Sequence, residues 1–332
     1  MEKPVIDESI QEYEYHEYEP QARTNLNSAG EININIELQD LFTHPAESYI
    51  VSDGAAYANA DAVALTNNGL MYLFSSISYR LSSQEVESVH HPGQATTMLG
   101  LLKYSDDFSR AQGLNQLWKK DTTTAAVAAD NTGFNARQAY LIASPTAKGT
   151  FSFRVPLKHI FGFCEDHDKI VYINTLKLIR KSDDDVIFRA NAADAGKVTI
   201  DKIARFIPHE LAADAEKFSI YKEIESKVFL TVAYRTRQCD TITVPRATTF
   251  AWRLGVKNAP EKPRWIVIKF QLERAVTRRK IRQSSITYRT YVMLNYTRYP
   301  AVDYNFSLAN QQFSRAFLFG ILLWMKHFSG GL

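Results

Sequence analysis

Residues 31–38 run Glu-Ile-Asn-Ile-Asn-Ile-Glu-Leu, a strict alternation of polar and apolar side chains. A side-chain period of two belongs to a β-strand with one wet face and one buried face. On a helix, Ile32, Ile34, Ile36 and Leu38 would scatter around the circumference and bury poorly. The same signal recurs downstream. Tyr49-Ile50-Val51 within Glu47–Ser52 predicts a second strand, closed by a turn at Asp53-Gly54. Asn67-Asn68-Gly69 predicts another turn, followed by one long strand over Leu70–Leu81 that buries Tyr72, Phe74 and Ile77. Ser82-Ser83-Gln84 then turns the chain into Glu85–Val89, a hairpin partner. Further strands are predicted at Ala136–Ile142, Gly149–Pro156, Lys169–Arg180, Val186–Arg189 and Lys197–Ile207, the last ended by Pro208.

Helical periodicity is sparse. Thr96–Tyr104 gathers Met98, Leu101 and Leu102 on one face, and Ala212–Ile224 carries a stripe of Leu211, Ala215, Phe218, Tyr221 and Ile224. The polar stretch Ser105–Gly133 reads as a long excursion loop, a length that usually serves function. Beyond the second helix, strands are predicted at Val228–Arg235, Thr241–Val244, Thr248–Val256, Arg264–Gln271 and Thr290–Tyr296. Many short strands at close spacing, with hardly any helix, argue for an all-β sandwich or jelly roll rather than an α/β fold. The organisation follows: a flexible acidic arm over 1–22, a first jelly-roll domain over 23–210 and a helical connector over 211–226. A partial second jelly-roll domain over 227–315, short of eight strands, and an atypical apolar tail over 316–332 complete it.

Composition adds little to this until charge is mapped along the chain. The 332 residues are 45% hydrophobic and 12% aromatic, which suits rings packed on pleated sheets. Two cysteines, Cys164 and Cys239, cannot build a disulfide framework and predict buried thiols in a reducing compartment. Met1–Pro20 has no apolar core of a signal peptide, and the apolar run Ala316–Met325 is half the ~20 residues a helix needs to span a bilayer. The expectation is an intracellular protein, cytoplasmic or nuclear, neither secreted nor held in a membrane. From Lys227 onward, 18 Lys or Arg face four acids, whereas Met1–Ser226 holds 21 basic and 32 acidic residues. Such a split marks different partners for the two halves.

Candidate chemistry is thin. His90-His91 is followed by Pro92-Gly93 and lacks further ligands at useful spacing, so it reads as a turn. Cys164 and His167 have no second pair to complete a zinc site, and Asp183-Asp184-Asp185 lacks the spaced ligands of a calcium loop. Phosphate loops, nucleophile elbows and metalloprotease helices are missing from the sequence, so no enzyme, cofactor or metal is expected. Arg278, Arg279, Lys280 and Arg282, with Tyr288 and Tyr291 nearby, are the candidate nucleic-acid contact: the cations would displace phosphate counterions and the rings would stack on bases. The competing reading is a solvated basic loop.

Several stretches carry a family likeness: YEYHEYEP at 13–20, LTNNG at 65–69, HPGQAT at 91–96, FSFRVPLKHIFGFC at 151–164, RKSDDDVIF at 180–188, EKPRWI at 261–266 and YPAVDYN at 299–305. The chain resembles the double jelly-roll, major-capsid-like proteins of DNA viruses and virus-like elements in invertebrate genomes, from Glu12 to Phe313 with a break at Leu272–Tyr288. The resemblance implies two jelly rolls joined by a helix, a homotrimer of pseudo-hexagonal outline, and trimers tiling an icosahedral shell. It implies a viral structural protein found in virions, here an endogenous viral element with a truncated second jelly roll, and supplies no catalytic residues. Two alternatives remain from the residues: a host-used β-sandwich binding module touching nucleic acid through the basic half, and a jelly-roll carbohydrate-active enzyme.

Overall fold

The computed structural model describes residues 10–21, 26–37, 42–57, 64–122, 130–141, 149–166, 173–183, 186–188, 197–226 and 232–243, with 251–252, 267, 287–289, 292–294, 297–299 and 305–307 beyond them. The chain divides into two units. One joins Met1–Thr122 to Val127–Thr243, and the other joins Thr123–Ala126 to Val244–Leu332.

The first unit opens with β1 (Ile10–Tyr18), β2 (Glu31–Ile36), β3 (Phe42–Thr43), β4 (Tyr49–Tyr57) and β5 (Ala64–Leu65). A one-turn helix α1 (Gly69–Tyr72) precedes the hairpin β6 (Phe74–Leu81) and β7 (Gln84–His90). Helices α2 (Pro92–Lys103), α3 (Asp106–Arg110) and α4 (Thr132–Leu141) form an excursion before β8 (Gly149–Pro156) and α5 (Gly162–Asp166). Strands β9 (Asn174–Arg180), β10 (Ile187–Phe188) and β11 (Lys197–Ala212) lead into helix α6 (Asp214–Glu225).

One sheet has the order β1-β11-β4-β8, with β3 also paired to β11, and the other has the order β2-β9-β6-β7. All pairs are antiparallel, and strands from opposite ends of the unit lie side by side, as when β4 pairs with β11 from Tyr49↔Phe206 to Tyr57↔Lys197. This is the jelly-roll arrangement of two facing sheets. The alternation read from the sequence decides which face turns inward. Ile32, Ile34, Phe74, Ile77, Tyr79, Leu176 and Leu178 from one sheet meet Ile50, Phe151, Phe153, Val155, Val198, Ile200 and Ile203 from the other. Each fully buried large side chain contributes about 1.5–3 kcal/mol, so this inter-sheet layer holds the unit together.

Four expectations change here, each for a local reason. Ile10–Tyr18, read as part of a flexible acidic arm, is a strand paired along its length with β11. Asp53-Gly54 is no turn but mid-strand, because Gly54 pairs with Ile200 of β11 and Phe151 of β8, and a side chain there would run into the Thr199 carbonyl and lie 2.7 Å from the Phe151 ring. Residues 136–141 are helical: the Asn131 side chain accepts the Phe134 N–H at 3.2 Å, and Phe134, Arg137 and Leu141 are buried at helical spacing. Within α2 the small residues face inward while Leu101 and Leu102 are exposed, because the Tyr72 and Trp118 rings lie against Gly93 and Gly100.

Smaller differences follow similar logic. The strand predicted over Leu70–Leu81 begins as α1, where Asn68 takes a left-handed φ of 60°. β11 continues through Pro208, which falls between the end of β4 pairing at Phe206 and the start of β3 pairing at His209. The Ser105–Gly133 stretch contains α3, capped by the Ser105 hydroxyl accepting the Phe108 N–H, and the fully buried Trp118. Described residues of the predicted strands 228–235 and 241–244 are neither helix nor strand. In the second unit, β12 (Thr287–Arg289) pairs with β15 (Asn305–Ser307), and β13 (Val292–Leu294) with β14 (Thr297–Tyr299).

Candidate interaction surface

Strand β1 lies at one edge of the first sheet and is exposed from Ile10 to Tyr15. Along β1, the Glu-Tyr-Glu-Tyr alternation places Tyr13 and Tyr15 on the sheet's outer face. The Tyr13 hydroxyl donates to Glu47 Oε2 at 2.5 Å, and burial together with that carboxylate raises its pKa. Tyr13 and Tyr15 meet edge to face at 6.0 Å, Tyr15 leans on Tyr49 at 5.7 Å, and Tyr49 stacks on Phe206 at 5.3 Å. The Arg154 guanidinium sits 3.8 Å from the Tyr49 ring centre, a cation–π contact. An aromatic row thus crosses from the edge onto the sheet.

Beneath that row, a polar seam ties β1 to β11. The Tyr18 hydroxyl lies 2.9 Å from His209 Nε2, and the His16 ring packs 4.3 Å from the His209 ring. Burial, then the neighbouring His16 and Arg205, push His209 down to about 4. Arg205 is fully buried, donates to Asn174 Oδ1 and lies 5.3 Å from the Tyr79 ring. Asn174 in turn donates to the Thr43 hydroxyl at 3.1 Å. Sequence reading misses this seam, since its members are single polar residues on separate strands.

After α6 the chain returns across the same unit as a strap, residues 232–243. The Tyr234 hydroxyl donates to the Val86 carbonyl at 3.0 Å, and the Arg235 backbone N–H donates to Asp166 at 2.8 Å. Glu87 is its main anchor: buried on β7, it accepts N–H groups from Gly162, Phe163 and Arg237 at 3.2, 3.0 and 2.8 Å. Burial raises the Glu87 pKa despite these bonds. Arg235 pairs with Asp166 and Arg237 with Glu165.

The residues singled out from sequence fare unevenly. Arg278, Arg279, Lys280 and Arg282 lie outside the described residues, while Tyr288 and Arg289 belong to β12. His90 ends β7 rather than lying in a turn, His91 alone bends the chain with a left-handed φ of 49° into α2, and Thr241 Oγ1 is 3.5 Å from His91 Nε2. Cys164 is a buried free thiol pushed up to about 12 by desolvation, and Cys239 is also free and buried. Asp183 accepts the Val198 N–H at 2.9 Å and pairs with Arg180, a structural turn. Among the described residues no group of three or more His, Cys, Asp or Glu could hold a metal, and no helix is long and apolar enough to cross a membrane.

Two facing antiparallel sheets wound as a jelly roll make the first unit, the second unit contributes two short antiparallel strand pairs among the described residues, and the family match below sets the class as double jelly roll. The double jelly roll-like domain family matches residues 63–329, and the chain belongs to that family. Its fold is similar to that of a Sputnik virophage chain, with a TM-score of 0.48 at 9% identity over 64% of this chain and 50% of that one. It is also similar to the Faustovirus major capsid protein, with a TM-score of 0.43 at 9% identity over 68% and 58%. For the mavirus major capsid protein the TM-score is 0.41 at 13% identity, over 65% and 49%. The chain thus spans about half the length of these solved chains. No curated protein sequence matches it.

Proposed function

We propose that this chain is a capsid-type structural subunit that associates with its own copies, three to a pseudo-hexameric trimer, with trimers tiling an icosahedral shell. The observation that carries the reading is membership of the double jelly-roll family over residues 63–329, joined to the sequence resemblance to capsid-like proteins. Its work is then geometric. Two similar sandwiches in one chain give three copies six comparable edges, and trimers of that outline tile a shell. The role calls for rigid, densely packed sheets, and the inter-sheet layer of β1–β11 supplies them. It places the protein in a virion or virion-like particle, as an endogenous viral or mobile-element product, with no catalytic step.

Light scattering on the purified full chain, followed by negative-stain imaging, tests this. A discrete trimer that builds closed particles supports the reading. A monomer at every concentration overturns it.

A further inference from the structure

Strand β1 ends its sheet among the described residues, and nine residues at strand spacing make an edge about 30 Å long. Natural sheets keep such edges short, covered or charged, because a free row of backbone groups recruits another chain. β1 is long and exposed from Ile10 to Tyr15, with Tyr13 at 41% and Tyr15 at 43% exposure. It is also acidic: Glu12, Glu14 and Glu17 fall within it, Glu17 paired with Lys202 of β11, and it holds no Lys or Arg.

Charge decides which partner the edge accepts. Two β1 strands laid antiparallel and centred on Tyr13 or Glu14 would bring Glu against Glu, and like charges opposed across a ladder are unfavourable. A two-fold β1–β1 contact is therefore selected against. A basic partner meets the opposite situation. The carboxylates attract it, and the exposed tyrosines offer ring faces to its cations, as Tyr49 already does to Arg154 at 3.8 Å. Glu47 holds Tyr13 and Tyr15 in place, so little side-chain freedom is lost on contact. This chain carries a stretch of that charge itself, since residues 227–332 hold 18 basic and four acidic residues.

We propose that the β1 edge, with its Tyr13–Tyr15 face, is the docking surface for the basic second half of another copy of this chain. The contact is heterologous, acidic edge to basic half, and a heterologous contact closes into a ring when its rotation permits. The inference rests on the self-associating reading above and adds the surface, the charge sign and the polarity of the contact.

The test uses the full chain and two variants: Glu12→Lys with Glu14→Lys on the edge, and Glu85→Lys with Asp107→Lys, exposed sites away from the edge, as a control of equal net charge. Sedimentation velocity is run from about 50 mM to about 1 M salt, over which the screening length falls several-fold. Association of the natural chain is expected to weaken with salt. The edge variant is expected to associate roughly tenfold more weakly or worse, with an unchanged circular dichroism spectrum and urea midpoint, and the control to match the natural chain. Oligomers that ignore both salt and the edge reversal overturn this inference and leave the structural-subunit reading standing. A chain that never associates overturns both. Tight, salt-sensitive DNA binding by a monomer assigns the basic half to nucleic acid and likewise overturns the inference.

Discussion

Acid should loosen the first sandwich through His209, and the size of the effect follows from its surroundings. His209 is 3% exposed, sits between the Tyr18 hydroxyl and the His16 ring, and is held down to about 4, mainly by burial and then by His16 and Arg205. An unfolded histidine titrates near 6.5. Between about pH 6.5 and pH 4 the unfolded chain therefore binds a proton that the folded chain refuses, and stability falls as pH falls. The difference in pKa corresponds to about 3 kcal/mol at full extent. His159, also lowered to about 4 by burial with Lys158, Arg237 and Lys103 nearby, adds a loss of the same sign. Glu87 works the other way, since a carboxyl raised by burial favours the folded state as pH falls. Comparing the natural chain with His209→Gln isolates the one site. Urea unfolding at pH 7 and pH 4.5, followed by circular dichroism, should show the natural chain losing about 2–3 kcal/mol more than the variant. Equal losses in both proteins, or a larger loss in the variant, would refute the reasoning.

Other predictions concern single contacts. Gly54→Ala forces a methyl into the Thr199 carbonyl and the Phe151 ring, so it should cost about 3 kcal/mol or more in thermal and urea unfolding, whereas an alanine at exposed Ser152 on the neighbouring strand should cost almost nothing. Glu87→Ala leaves two buried N–H groups and one partly buried one without their acceptor and should cost about 2–4 kcal/mol. Limited proteolysis should then cut first within residues 232–243, and unchanged cleavage would count against the strap. Arg205→Met removes a buried cation whose Nε and one terminal nitrogen make no hydrogen bond among the described residues, so stability should rise or hold rather than fall by the several kcal/mol expected of a needed ion.

The alternation of Ile32, Ile34 and Ile36, and of Phe151, Phe153 and Val155, was enough by itself to determine strands, their inward faces and the all-β class. All six are buried and face the core. The Gln84–His90 hairpin partner was equally legible, because turn residues and flanking alternation act locally. The tertiary structure decided what depends on neighbours remote in sequence. Gly54 is a strand residue because Phe151 and Ile200, far along the chain, pair with it on either side, and the Thr199 carbonyl leaves room there for no side chain. Ile10–Tyr18 is ordered because β11 supplies its ladder, although its composition alone reads as a solvated arm. Phe218, on the apolar stripe of α6, is 76% exposed, because periodicity states which residues share a face and not whether anything packs against it. The seam of His16, Tyr18, His209 and Arg205 and the Glu87 anchor were invisible for the same reason: isolated polar residues gain meaning only when the fold buries them side by side. Local period is a property of the chain, whereas burial and charge environment are properties of the packed sheets.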